Sequence, residues 1–214
     1  MKIQGCCTLI LSLLLSGCHM FTEERSVQAI NGDSVPLIKP NAKIHQEDPA
    51  PTVVHDTTTR NGDLIKIEEF HPRGEKRSDL KISIRNEMSG LNVVQDVNPV
   101  QQILLGDLNQ NGFDEVYIIT SSFDNSRYGQ VFAYECTDHK TLSRIGIPVL
   151  EKADLQKGGN FEGYHGDDKF QLEAQHLVRS YPLRENENSR IYLYYGLTKN
   201  NIGDTLVLRQ RKQN

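Results

Sequence analysis

Tryptophan is absent from the 214 residues, and cysteine occurs only four times. Cys6 and Cys7 lie in an apolar leader and Cys18 closes it, so a chain that sheds residues 1–17 and carries Cys18 as a modified residue keeps one free thiol, Cys136. One thiol makes no intramolecular disulfide, which excludes a disulfide-stapled scaffold. Long hydrophobic runs are missing as well. The apolar stretch Leu9–Leu15 has about a third of the length that a membrane-spanning helix needs. Helical periodicity is equally scarce: no segment keeps the i, i+3, i+4 spacing for long, and Ile147–Leu155 is the best candidate for a turn or two. Catalytic patterns are missing too. His45, His55, His71, His139, His165 and His176 form no His-Glu-x-x-His helix and no compact cluster, and read as surface residues. Ser121, Ser122 and Ser126 lack a Gly-x-Ser-x-Gly setting with a base and an orienting acid. The expectation is a protein that is not an enzyme.

What is present begins with the leader. One Lys at position 2, the run Leu9–Leu15 and then small residues before a cysteine have the order of a secretion signal. Its end, Leu15-Ser16-Gly17-Cys18, resembles the lipobox of bacterial lipoproteins, which implies acylation of the Cys18 thiol and removal of residues 1–17. Acyl chains contribute about 0.8 kcal/mol per buried methylene, so two or three of them hold a protein on a membrane without help from the folded part. His19 stands where inner-membrane retention signals usually show Asp, which favours the outer membrane, facing the periplasm. Loss of the leader removes one Lys and no acid, leaving 23 basic against 28 acidic side chains and a formal charge of -5. That balance argues against nucleic acid or an anionic lipid surface as a partner. From Cys18 to Thr52 the chain is polar, with Pro36, Pro40, Pro49 and Pro51 and no sustained periodicity, and it reads as a flexible tether.

The pattern changes at Val53. The segments LIKIEEF (64–70), LKISIRNE (80–87), LNVVQ (91–95), VQQILLGDL (100–108), EVYIITSS, GQVFAYEC, FQLEAQHLVRSYPL, RIYLYYGL and DTLVLRQ are short, alternating or β-branched. Gly, Pro and Asn signals separate them. The spacing predicts one mainly antiparallel β domain over residues 53–214, a β-sandwich with few or no helices. An exposed sheet edge in such a domain could pair two copies as a homodimer.

Two groups of polar residues and one cysteine carry a chemical reading. Asp107, Asn109, Asn111 and Glu115, with Gly112 at the turn, have the alternate spacing that brings oxygens onto a hard cation, so Ca2+ is a candidate ligand. Ile118 occupies the twelfth position, where a complete calcium loop has Glu, and the same residues also build an Asx turn without metal. Asp167 and Asp168 are adjacent, so an extended backbone would point them apart, and their Gly-flanked setting favours a capping role. Cys136 ends an alternating segment and reads as a small buried hydrophobe.

The blocks D-L-N-x-N-G-F-x-E-V-Y-I (107–118), G-Y-x-G-x-D-x-F (163–170) and L-V-R-x-Y-P (177–182), in that order, resemble the periplasmic and lipoprotein inhibitors of invertebrate-type lysozyme. The similarity covers about Leu64 to Arg209. It implies an antiparallel β-sandwich, no catalysis, and a loop inserted into the active-site cleft of a lysozyme or related peptidoglycan-cleaving enzyme. In that family the loop typically reads Ser-Gly-Ser-Tyr. The matching residues here are Asn125, Ser126, Arg127 and Tyr128, preceded by Asp124, so the tyrosine is kept and the rest of the tip offers different chemistry. The resemblance makes 124–128 the inhibitory segment, with Arg127 and Tyr128 as anchors. It also implies structural work for Tyr164, Gly166, Asp168, Phe170, Arg179 and Tyr181. The rival expectation is a calcium-dependent envelope adhesion module that uses the Asp107–Glu115 loop. The Asp-x-Asn-x-Asn-Gly turn resembles repeats of integrin-like propellers, but occurs once where those recur.

Overall fold

Among the described residues twelve strands succeed one another, and every strand pair is antiparallel. The computed structural model describes residues 49–71, 74–84, 91–183 and 186–214, with 186–188 as backbone only. These lie within the compact unit Glu47–Asn214. Cys18, the leader and nearly all of the expected tether lie outside the described residues. Among the described residues no helix is long and apolar enough to cross a membrane.

The strands form three four-stranded meanders, each from consecutive elements. The first joins β1 (Val53–Thr58), β2 (Leu64–Phe70), β3 (Ser78–Ile84) and β4 (Asn92–Val97). The second joins β5 (Val100–Gly106), β6 (Glu115–Ser121), β7 (Gly129–Glu135) and β8 (Ser143–Ile145). The third joins β9 (Lys169–Glu173), β10 (His176–Leu183), β11 (Asn186–Lys199) and β12 (Asp204–Gln213). The expected antiparallel sandwich is therefore present. The segment 170–183, which reads as one alternating run, is a hairpin that turns at Ala174 and Gln175, with Ala174 at φ 49°. The expected helical turn is a 3-10 turn, Lys152–Leu155, with Glu151 and Asp154 in a reciprocal capping box.

The second sheet has apolar packing on both faces. Val116 and Ile118 pack with Ile65, Ile67, Leu80, Ile82 and Ile84 of the first sheet. Tyr117 and Ile119, pointing the other way along the same strand, pack with Phe170, Leu177 and Leu206 of the third. This is why EVYIITS is a continuous buried run: a strand covered on both faces has no solvent side to alternate with. Each fully buried Ile or Leu contributes about 1.5–3 kcal/mol. Cys136 is buried in the first of these clusters, and burial pushes its thiol pKa up, so it behaves as a hydrophobe.

Candidate functional site

A turn closes each end of β6, and its side chains decide what each end can do. At the start, Asp107 Oδ1 accepts the Asn111 amide and Oδ2 the Gly112 amide, both at 3.0 Å. Asn109 Oδ1 also accepts the Asn111 amide, and Asn111 Oδ1 accepts that of Phe113 at 2.9 Å. Gly112 sits at φ 91°, a left-handed conformation that suits glycine. The side-chain amides of Asn109 and Asn111 both donate to Glu135 Oε1, at 2.8 and 2.7 Å. Arg60 adds bonds to Asp114 and a longer contact to Asp107. Glu115 is fully buried beneath the turn, with Oε2 accepting from the Leu108 amide and the Tyr117 hydroxyl. Oε1 has no partner. Burial, with the nearby charges of Glu135 and Asp107, pushes the Glu115 carboxyl up to about 7. The four candidate calcium ligands thus share one turn, whose oxygens organise backbone amides. Among the described residues no group of three or more His, Cys, Asp or Glu is placed to hold a metal ion.

At the far end of β6, Ser121 leads into the 122–128 loop. Ser122 and Tyr128 close its neck, since the Ser122 amide donates to the Tyr128 carbonyl at 3.1 Å and the Tyr128 amide to Ser122 Oγ at 2.9 Å. Ser122 Oγ in turn donates to Asp124 Oδ1, which also accepts the amides of Ser126 and Arg127. The turn Asp124–Arg127 is completed by the bond from the Arg127 amide to the Asp124 carbonyl, with Arg127 at φ 43°. Asp124 therefore works inside the loop as its organising acceptor. Phe123 and Tyr128 flank the polar tip with 59% and 43% of their surface exposed. Phe123, just outside the 124–128 segment singled out from the sequence, is a large apolar residue beyond a buried strand and between two polar ones.

The second and third sequence blocks, Gly163–Phe170 and Leu177–Pro182, support this loop. The Asp167 amide donates to the Ser126 carbonyl at 2.6 Å, and the Asp168 amide to the Arg127 carbonyl. Gly166, at φ 98°, faces the Ser126 carbonyl so closely that a Cβ there would run into it. Asp168 Oδ2 accepts the Gly129 amide at 2.8 Å and the Tyr164 hydroxyl at 2.5 Å. Arg179 grips Asp168 with Nε at 2.7 Å and Nη2 at 2.9 Å, a two-point pair whose carboxylate is buried. Its guanidinium lies over the rings of Phe161, Tyr164 and Phe170 at 4.9, 5.0 and 5.6 Å. Burial pulls the Arg179 pKa down, but the hydrogen bonds and charge of Asp168 outweigh it, and the net shift is upward. Tyr164 is raised chiefly by burial, and its ring meets that of Tyr128 at 5.7 Å.

The two adjacent acids thus divide, as a turn allows. Asp168 is the buried acid that ties β7, β10 and the 163–168 segment together, whereas Asp167, at φ 56°, pairs with Arg127 at 2.5 Å near the surface. Among the described histidines, the half-buried His55 and His71 are tied to Glu69 and the exposed His139 to Asp63.

Comparison of the chain with protein-family models, with curated proteins and with solved structures gives no match.

Proposed function

We propose that this domain inhibits a lysozyme by placing the 124–128 loop in the enzyme's active-site cleft, in competition with the glycan. The observation that carries this reading is the loop itself: an internally braced tip at the end of a core strand, presenting exposed aromatic side chains around small polar residues. Glycan-cleaving clefts are narrow, accept sugar rings and hold paired acids at their base. A tip fixed before binding loses little conformational entropy on entry. Asn125 and Ser126 offer hydrogen bonds to those acids, and Tyr128 offers a ring where a sugar would stack. Arg127 offers a charge-assisted pair, and Arg and Tyr are enriched among the residues that dominate binding energy. The lipobox at Cys18 supports an envelope location, where the domain would act from an outer-membrane lipid anchor on enzymes reaching the periplasm.

The test compares wild type with the Arg127→Ala plus Tyr128→Ala variant against lysozymes of invertebrate and animal type. The expected result is inhibition of at least one enzyme, competitive in substrate, weakened at least tenfold by the double change, roughly the effect of losing one anchor residue. Equal inhibition by both proteins sinks the loop assignment, and no inhibition of any lysozyme sinks the function.

A further inference from the structure

Between the loop tip and the 163–168 segment lies a cleft of about 360 Å³ whose wall includes Ser126, Arg127, His165, Asp167 and Arg190. Its charge is unlike that of the chain as a whole, which is acidic. Two guanidiniums face one carboxylate here, because Arg127 Nη2 stands 2.5 Å from Asp167 Oδ1 and Arg190 Nη1 stands 3.8 Å from Asp167 Oδ2. The two arginines are held differently. Arg190 is largely buried, and its Nη2 donates to the Asp167 and Ser180 carbonyls at 3.2 and 3.0 Å, which fixes the guanidinium from behind. The Arg127 side chain is 65% exposed, and its pair with Asp167 is a surface pair of the kind that contributes little in water. Each guanidinium carries more N–H donors than Asp167 can accept. Left-handed backbone at both Arg127 and Asp167, locked by the bond from the Asp167 amide to the Ser126 carbonyl, sets the spacing of these charges.

We propose that this cleft is a carboxylate-binding subsite, and that it takes an acidic side chain from the rim of the cleft of the inhibited enzyme. This rests on the inhibitor reading above. The incoming carboxylate docks between Arg127 and Arg190 and takes over Arg127 from Asp167, so that a weak exposed pair is exchanged for one covered by the partner. Charge complementarity names the occupant: a surplus of fixed guanidinium donors, immediately beside the segment that enters the enzyme, recognises an anion with two oxygens. Arg190 then selects among enzymes, although it lies outside the inserted loop.

Two measurements test it. In the first, N-acetylglutamate and N-acetylglutamine are titrated separately into the protein, with NMR detection of the Arg127 and Arg190 Nε–H signals and the Ser126 and Asp167 amides. The expected result is a saturable shift with the glutamate probe and a response at least about fivefold weaker with the uncharged probe. No shift, or equal shifts with both, overturns the subsite. In the second, Arg190→Lys and Arg190→Gln are compared with wild type against whichever lysozyme the protein inhibits, with thermal melts of each variant. Lys keeps the charge and loses the fork. An increase of roughly tenfold in the inhibition constant for a variant that melts like wild type supports docking at Arg190. Unchanged inhibition by both variants overturns docking at this cleft. Should wild type inhibit no lysozyme while N-acetylglutamate still binds, the inhibitor reading fails and the carboxylate subsite stands.

Discussion

Asp168 holds three different pieces of chain through two oxygens: the Gly129 amide at the start of β7, the Tyr164 hydroxyl and the Arg179 guanidinium. Removing its charge leaves the buried Arg179 guanidinium with the Tyr164 hydroxyl and the Gly129 carbonyl but without its counter-charge, so Asp168→Asn should lower stability by about 3–5 kcal/mol, read from urea or thermal unfolding. A change under 1 kcal/mol would mean that the pair is not the tie it resembles. Gly166→Ala acts through geometry instead, because a left-handed φ and a Cβ driven into the Ser126 carbonyl both oppose it. A loss of about 1–3 kcal/mol is expected, with inhibition falling further than stability because the displaced carbonyl belongs to the loop tip. A structural role at these positions was legible only through the resemblance of the 163–170 and 177–182 blocks, which implied a buried acid or an Arg tying loops together, whereas the Gly-flanked setting of Asp168 by itself read as a capping turn. Their mutual pairing was not legible. Asp168 and Arg179 meet only because the chain reverses at Ala174 and Gln175, inside a run whose alternation continues smoothly through the turn.

At the scale of elements, β6 concentrates most of what the fold does. Its apolar stretch Val116–Ile119 was readable as a strand, yet the presence of covering layers on both faces depends on two other sheets that local pattern does not specify. The first residue of β6 carries a testable consequence. Glu115 stands directly opposite Glu135 in the pairing of β6 with β7, and its folded pKa is raised from 4.5 to about 7. Between those values the folded protein keeps a proton that the unfolded chain has released. Stability from this group is therefore greatest at acid pH, declines by about 3 kcal/mol as pH rises through 4.5 to 7, and stays lost above that. Glu115→Gln removes the titration while keeping an acceptor for the Leu108 amide. It should flatten the decline and raise the melting temperature at pH 8 more than at pH 4.5. The opposite sign belongs to Glu69 on β2. Burial would raise it, but hydrogen bonds from Ser78, His55, His71 and the Val100 amide outweigh burial and lower its pKa. Its stabilisation is present above pH 4.5 and is lost as pH falls through the lowered folded value, so Glu69→Gln should reduce the acid sensitivity that Glu115→Gln leaves behind.

For the whole molecule, the two polar turns that share one continuous sequence, 106–129, sit at opposite ends of β6. Seven residues of strand put them about 20 Å apart. That separation assigns different work to each. The Asp107 turn braces β5, β7 and the β1–β2 connection through Glu135 and Arg60, whereas the 122–128 loop is braced by the third sheet and its preceding segment through Asp167, Asp168 and Arg179. No side chain is shared between the two sets. Asp107→Ala should therefore lower stability by about 1–2 kcal/mol, the usual consequence of losing an acceptor that organises turn amides, and leave the inhibition constant unchanged. Arg127→Ala should weaken inhibition and change stability by no more than about 1 kcal/mol, since its ion pair with Asp167 is a surface pair. Combined in one chain, the two changes should add within about 0.5 kcal/mol in both unfolding and inhibition, as unconnected sites do. A larger coupling in inhibition would show that β6 transmits strain along its length, and the loop would then have to be treated as one device with the turn at the other end of the strand.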